Sequence, residues 1–254
     1  MKKSVSVVVP LYNKENTIIE TLDSLTTYFE KQSITYEIII VENQSTDNSK
    51  LIVENYINKL NKNLFIYFSK KGLGYALKEG IRCSNFDIIW FVPADMLFGT
   101  SDFEYYYNNN LYPKIAASSR AHEQSNSNRP TNRKVISFVY LFLKKIILKN
   151  ALKDTQGAFI GKAETLKKVN EYVISNKFFY QTELLLRSID SGFEVVEIPV
   201  SEKVMENNKT TINFKVDIFV FFMDLVTFAV NRRAKWELYK IRLECEKWIT
   251  LNFF

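Results

Sequence analysis

Four short polar segments in the first hundred residues carry the side chains that could do chemistry. They are Pro10-Leu11-Tyr12-Asn13-Lys14-Glu15, Glu42-Asn43-Gln44-Ser45-Thr46-Asp47, Ser69-Lys70-Lys71-Gly72-Leu73-Gly74 and Pro93-Ala94-Asp95-Met96. Together they supply carboxylates, amides, hydroxyls, an aromatic ring and two glycines. Such a set suits a nucleotide: Tyr12 can stack on a base, acids can hold base or ribose, and Gly72 and Gly74 allow close backbone approach. Singly, each segment is a weak signal, because Asn, Ser and Asp at strand ends mostly make turns and caps. Asp47 reads equally as a helix N-cap. Gly72-Leu73-Gly74 is not the dinucleotide fingerprint, since it follows the third strand and its next glycine is Gly80.

The elements that must position these segments alternate in type. Strands are expected at residues 4–9, 36–41, 64–68 and 87–92, with helices at 15–29, 47–60 and 74–82 between them. Ile18, Leu22, Leu25 and Phe29 recur at helical spacing, whereas the first two strands are nearly continuous apolar runs. Strands buried on both faces read that way. Alternation of this kind calls for parallel βαβ units with right-handed crossovers, hence an α/β fold with helices on both faces of a mostly parallel sheet. Ligands of such sheets bind outside the carboxyl ends of the strands, where all four polar segments fall. Further on, a weak strand is expected at 115–118, a helix at 134–152, helices at 163–174 and 179–191, and a strand at 193–198.

The net charge of +6 is unevenly spread. Residues 114–153 hold nine basic side chains and one acid, Glu123, so that stretch carries +8 and the remainder −2. A local basic belt implies an anionic partner at one place. The helix over 134–149 has a wide apolar side edged by Lys144, Lys145 and Lys149, which suits an interfacial helix on anionic lipid, or a helix packed on the sheet with snorkelling lysines. Residues 214–230 form a second, broadly apolar cylinder with Asp217, Asp224 and Asn231 on one stripe; it needs lipid, the core or a second copy of the chain to cover it. Arg232, Arg233, Lys235 and Trp236 follow as a basic-aromatic anchor.

Composition narrows the field. With 46% hydrophobic and 24% charged residues over 254 positions, the chain can bury a sizeable core, and disorder is excluded. Cys83 and Cys245 give neither a zinc site nor a disulfide framework, and the single His122 excludes His-rich metal chemistry. No uncharged apolar run approaches the roughly 20 residues of a spanning helix. Nucleic acid is the weakest partner, because the basic belt lacks stacking aromatics and a recognition-helix motif.

The ordered blocks resemble a known family. Val7-Val8-Val9-Pro10-Leu11-Tyr12-Asn13, Val41 to Asp47, Lys71-Gly72-Leu73-Gly74-Tyr75-Ala76 to Gly80, Pro93-Ala94-Asp95, Ser119-Arg120, Asp154-Thr155-Gln156-Gly157 and Glu183 to Arg187 are similar to family 2 glycosyltransferases with a GT-A fold. Within them the likeness is to the polyprenyl-phosphate, dolichol-phosphate-mannose-synthase-like branch. The resemblance implies a GT-A catalytic domain over residues 1–203, including a basic acceptor segment at 114–153, and a C-terminal amphipathic helical extension over 204–254. It implies that Pro10, Tyr12, Glu15, Glu42, Gly72 and Gly74 line the nucleotide pocket and that Asp95 binds a divalent metal, Mg²⁺ or Mn²⁺. Arg120, Arg129, Arg133 and Ser137 would grip the acceptor phosphate, with Asp95, Arg120 and Arg133 carrying catalysis. The chain departs from the family where Pro93 replaces the first Asp of the metal motif and Leu97 replaces a glutamine, which weakens that motif.

The expected activity is inverting transfer of a sugar from a nucleotide donor to a polyprenyl phosphate, by an enzyme peripheral on the cytoplasmic face of the membrane. Two alternatives stand beside it. One is transfer to a carbohydrate of a surface glycan, with Asp154 or Glu183 as the base that a hydroxyl nucleophile needs. The other is a degenerate GT-A domain that binds nucleotide or lipid without turnover.

Overall fold

The computed structural model describes residues 3–60, 63–126, 152–202, 223–230 and 232. The chain divides into two compact units, Met1–Val135 with Leu152–Asn208, and Ile136–Ala151 with Lys209–Phe254. The second unit therefore takes residues 136–151 together with the C-terminal segment. Within it, residues 223–230 are helical, Leu225 and Phe228 are buried, and the Arg232 guanidinium lies over the Phe228 ring. The expected helix at 134–152 and most of the apolar stretch 214–230 lie outside the described residues. No helix among the described residues is long and apolar enough to cross a membrane.

The first unit opens with β1 (Val5–Leu11), α1 (Ile18–Gln32), β2 (Tyr36–Glu42), α2 (Ser49–Leu60), β3 (Leu64–Phe68), α3 (Leu73–Cys83) and β4 (Ile88–Phe91). It continues with α4 (Ser101–Asn108), β5 (Ile115–Ser119), β6 (Phe159–Lys162), α5 (Ala163–Asn170), α6 (Tyr180–Asp190) and β7 (Val195–Pro199). The strands make one seven-stranded sheet in the order β3-β2-β1-β4-β6-β5-β7. Pairing is parallel from β3 through β4 and between β5 and β7; β6 alone runs antiparallel, between β4 and β5.

Apolar character on both faces of β1 is what embeds it. Val5, Val7, Val9 and Leu11 face one cluster with Ile38, Ile40 and Trp90, covered by Leu22, Leu25 and Phe29 of α1 and Phe103 of α4. Val8 faces the opposite cluster with Ile89 and Phe91, covered by Leu77 and Ile81 of α3 and Leu166 of α5. The two-residue period of a strand sends alternate side chains to opposite layers. Contact with α3 is close because Gly80 has no side chain: a Cβ there would stand 2.2 Å from Val8 Cγ1.

Two elements were not expected from sequence. α4 (SDFEYYYN) is aromatic-rich without clear periodicity, and β6 is four residues long with Gly161 in its middle. α4 brings in a fully buried carboxylate, Asp102, which accepts hydrogen bonds from Trp90 Nε1 at 3.3 Å and Ser118 Oγ at 2.8 Å, joining β4 to β5. Burial raises its pKa from 3.8 to about 6, against the lowering effect of those donors and the Phe103 N–H. A carboxyl whose folded pKa is raised binds its proton more tightly in the native state. Its stabilising contribution is therefore complete below about pH 4 and is lost as pH rises through 6. The loss amounts to roughly 3 kcal/mol for a shift of about two units. Asp102→Asn should flatten the pH dependence of unfolding between pH 4 and 7, measured by urea denaturation; an unchanged slope would show that Asp102 does not titrate in that window.

Candidate active site

β1 is the strand at which the sheet changes direction. From β1 the chain moves outward to β2 and β3, then returns to place β4 on the other side of β1. The loops leaving β1 and β4 stand side by side at the carboxyl edge of the sheet, both leading to helices over the same face, and ligands of such sheets bind in the crevice at that edge. The first carries Tyr12 and Lys14, the second Pro93 and Asp95.

The β1 and β2 loops are tied to each other in both directions. Asn13 Nδ2 donates to Thr46 Oγ1 at 3.0 Å and the Thr46 N–H donates to Asn13 Oδ1 at 2.8 Å. Glu15 accepts the Asn48 N–H and Nδ2 at 2.9 and 3.0 Å, while the Glu15 N–H donates to Asp47 Oδ2 at 3.2 Å. Asp47 Oδ1 also accepts the Ser49 N–H at 3.0 Å, at the start of α2, so this residue is a cap and a loop tie at once. Burial would raise its pKa, but hydrogen bonds from Ser49 and Glu15 outweigh that and hold it low. Glu42 is 6% exposed at the last position of β2, and its carboxylate accepts the N–H groups of Gln44 and Ser45 at 3.1 and 2.5 Å. Pro10 stands one residue before Leu11, the register partner of Glu42. Four of the six expected nucleotide residues thus sit together at the ends of β1 and β2.

The glycines are placed by Asn43, a residue that sequence reasoning did not single out. Asn43 is buried; its Nδ2 donates to Ser69 Oγ, Lys70 O and Gly72 O, and its Oδ1 accepts the Gly72 N–H at 2.8 Å. Its partners lie 26 to 29 residues away, so no local pattern could announce it. The space above the glycines is taken by protein backbone. A Cβ on Gly72, at φ 139°, would come 2.4 Å from Asn176 O, and one on Gly74 2.6 Å from the Asn176 carbonyl carbon. The Gly74 N–H donates to Asn176 O at 3.1 Å, and Lys78 Nζ holds Asn176 Oδ1 at 2.6 Å. The same loop lays the Lys71 ammonium over the Tyr12 ring, 4.8 Å from its centroid.

The β4 loop is fastened to the start of α1. Ala94 O accepts the hydroxyls of Thr17 and Thr21 at 3.3 and 3.0 Å, and Met96 adopts φ 43° in the turn that follows. Lys14 Nζ donates to Asp95 Oδ2 at 2.9 Å across the crevice. No cluster of three or more His, Cys, Asp and Glu suited to a metal ion exists among the described residues. With Pro93 in the neighbouring position, Asp95 gives one carboxylate, whose Oδ1 has no hydrogen bond among the described residues. One carboxylate can hold Mg²⁺ when phosphate and water oxygens complete the shell. The residues present fit an ion that arrives with a diphosphate.

Because β6 is antiparallel, the segment before it reaches this same rim. Asp154 and Arg120 pair there, with Arg120 Nε to Oδ2 at 2.7 Å and Nη2 to Oδ1 at 3.2 Å, and the guanidinium lies over the Phe98 ring. Burial would raise the Asp154 pKa, but the Arg120 charge and its hydrogen bonds overcome it and keep the carboxyl below its ordinary range. Glu183 is buried in α6; it accepts Arg187 Nε at 2.7 Å and the N–H groups of Ile174 and Ser175 at 3.0 and 2.8 Å. Arg129, Arg133 and Ser137 lie outside the described residues.

The mostly parallel sheet with its single antiparallel strand has the GT-A fold of its structural neighbours. The chain belongs to Glycosyl transferase family 2, whose profile matches residues 6–169. It is 29% identical to a dolichyl-phosphate beta-glucosyltransferase of Trichomonas vaginalis, covering 89% of this chain and 71% of that protein. It is 27% identical to the human dolichyl-phosphate beta-glucosyltransferase, covering 82% and 69% respectively. In structure it is similar to glucosyl-3-phosphoglycerate synthase of Mycobacterium tuberculosis, solved with Mn²⁺, uridine diphosphate and phosphoglyceric acid. That likeness has a TM-score of 0.63 at 17% identity and covers 91% of this chain and 78% of that one.

The packing of Gly74 on Asn176 decides the sign of one substitution. Gly→Ala in an open helical position stabilises by about 0.4–1 kcal/mol, whereas forcing a methyl into a filled space costs about 1–3 kcal/mol. Gly74→Ala should therefore lower the urea midpoint; a rise would refute the close contact.

Proposed function

We propose that the chain transfers a sugar from a nucleotide donor to a polyprenyl phosphate of the dolichyl or undecaprenyl type, with inversion, at the cytoplasmic face of a membrane. The observation that carries the choice of acceptor is the state of the two carboxylates that sequence offers as bases. Asp154 is committed to Arg120, and Glu183 to Arg187 and two backbone N–H groups. Asp154, held below its ordinary pKa by the Arg120 guanidinium, is a poor acceptor for a hydroxyl proton, and Glu183 already accepts hydrogen bonds on both of its oxygens. A phosphate nucleophile is already ionised and needs none, so catalysis reduces to positioning and charge stabilisation. The likeness to the Trichomonas and human dolichyl-phosphate beta-glucosyltransferases supports the same acceptor class.

In this reading Pro10, Tyr12, Glu15 and Glu42 form the nucleotide side, and Gly72 and Gly74, packed on Asn176, place the loop that carries Lys71 beside Tyr12 rather than contacting the nucleotide themselves. Glu42 and Glu15 act there by fixing the loops that carry the pocket as well as by facing the donor. Asp95 would hold Mg²⁺ or Mn²⁺, which when bound neutralises charge on the departing nucleoside diphosphate. Arg120, anchored by Asp154, presents the rest of its guanidinium to the acceptor phosphate together with Arg129, Arg133 and Ser137. Guanidinium groups suit phosphate because they remain charged and bond its oxygens in pairs. The basic segment 134–152 and the apolar segment 214–230 serve the anionic membrane surface, and self-association through 214–230 is a further way to cover that apolar stretch.

Arg133→Ala should cut transfer to the lipid phosphate by about 10- to 150-fold and leave nucleotide binding within about twofold, since a lost charged contact to phosphate removes on the order of 1.5–3 kcal/mol at one site only. Radiolabelled sugar transfer into dolichyl or undecaprenyl phosphate in detergent micelles, run beside a glycan acceptor, measures it. Full activity in the variant would refute the acceptor site. Labelling of the glycan alone would move the enzyme to surface-carbohydrate synthesis, and nucleotide binding without any turnover would make it a binding protein.

A further inference from the structure

We propose that Lys14 is a diphosphate-binding cation, so that this chain holds its donor without relying on a metal ion alone. The inference rests on the nucleotide-sugar reading given above. Lys14 and Asp95 project from the two loops that flank the β1–β4 crevice and meet across it at 2.9 Å. Lys14 is fixed at its backbone: its N–H donates to Ser49 Oγ at 2.7 Å, and its carbonyl accepts the N–H groups of Thr17 and Ile18. An ammonium has three donors, and Asp95 uses one. The other two have no partner among the described residues, on a side chain that is 35% exposed.

Charge counting separates this site from one with two acids. A pair of carboxylates without its metal is doubly negative and repels a diphosphate. With Pro93 in place of one acid and Lys14 against the other, the Lys14–Asp95 pair carries no net charge. The ion pair does not serve chiefly to hold the fold. It is partly exposed, and pairs of that kind contribute little to stability. The β4 loop is already held by Thr17 and Thr21 on Ala94 O. The Asp95 carboxylate aims the ammonium, and the incoming phosphate oxygens take its free donors.

Isothermal titration with UDP against UMP, and GDP against GMP, in EDTA and in Mn²⁺, tests this on the full chain, its Lys14→Gln variant and its Lys14→Arg variant. In EDTA the natural chain should bind the preferred diphosphate at least about tenfold more tightly than its monophosphate, the scale of a charge-assisted hydrogen bond. Lys14→Gln should erase that ratio in EDTA, Lys14→Arg should retain most of it, and neither should move the melting temperature of the nucleotide-free protein by more than about 2 °C. A purely structural Lys14 would lower the melting temperature and leave the ratio alone, which overturns the proposal. So does a diphosphate preference in the natural chain that appears only with Mn²⁺. Failure of every nucleotide to bind, with or without metal, overturns the nucleotide-sugar reading itself.

Discussion

Parallel pairing of β1 with a strand on each side is the constraint on which the molecule depends. β1 has no free edge and no wet face, since Val5, Val7, Val8, Val9 and Leu11 are all fully buried. A strand held on four sides, with a different cluster packed on each face, cannot slip by one residue without exchanging the side chains that fit each cluster. Its carboxyl end is therefore a fixed point, and the β1 and β4 loops are measured from it. What is variable in chemistry, the polar loops, grows from what is least variable in mechanics.

Much of this was legible in order. The β-branched runs at 5–9 and 36–42 and the helical spacing of Ile18, Leu22, Leu25 and Phe29 were strong local signals, and the sheet follows them. The helix at 15–29 begins later, at Ile18, because residues 13–17 are occupied in tying loops. β6 and α4 were invisible for opposite reasons. β6 is too short to show a period and depends on pairing with β4 and β5, while α4 is held by the tertiary contacts of Asp102, Phe103 and Tyr106. The site was legible as a set of segments, and its internal wiring was not. Asn43, Asn176 and Lys14 act on partners far away in sequence, and nothing in a linear window distinguishes such residues from ordinary loop polarity.

Several of the polar residues act through their neighbours. Glu42, Glu15 and Asp47 spend their oxygens on backbone N–H groups of the β1 and β2 loops, which is costly to leave undone in a part-buried region. Asp154 orients Arg120 and is itself placed by Glu197, which accepts the Asp154 N–H at 2.9 Å. A rim built this way is rigid before any ligand arrives, and rigidity in advance is what positioning chemistry needs. It also explains why two acids that look available on paper are committed in the folded chain.

The reciprocal bonds between Asn13 and Thr46, and between Glu15 and the Asn48–Asp47 pair, have a consequence for how such a domain can diversify. Each loop supplies both the donor and the acceptor that the other requires, although more than thirty residues separate them in sequence. Genetically the two loops are a single locus. A crossover that joined one homologue's first strand to another's second would inherit half of each handshake, leaving orphaned groups at the rim even where both parents were sound.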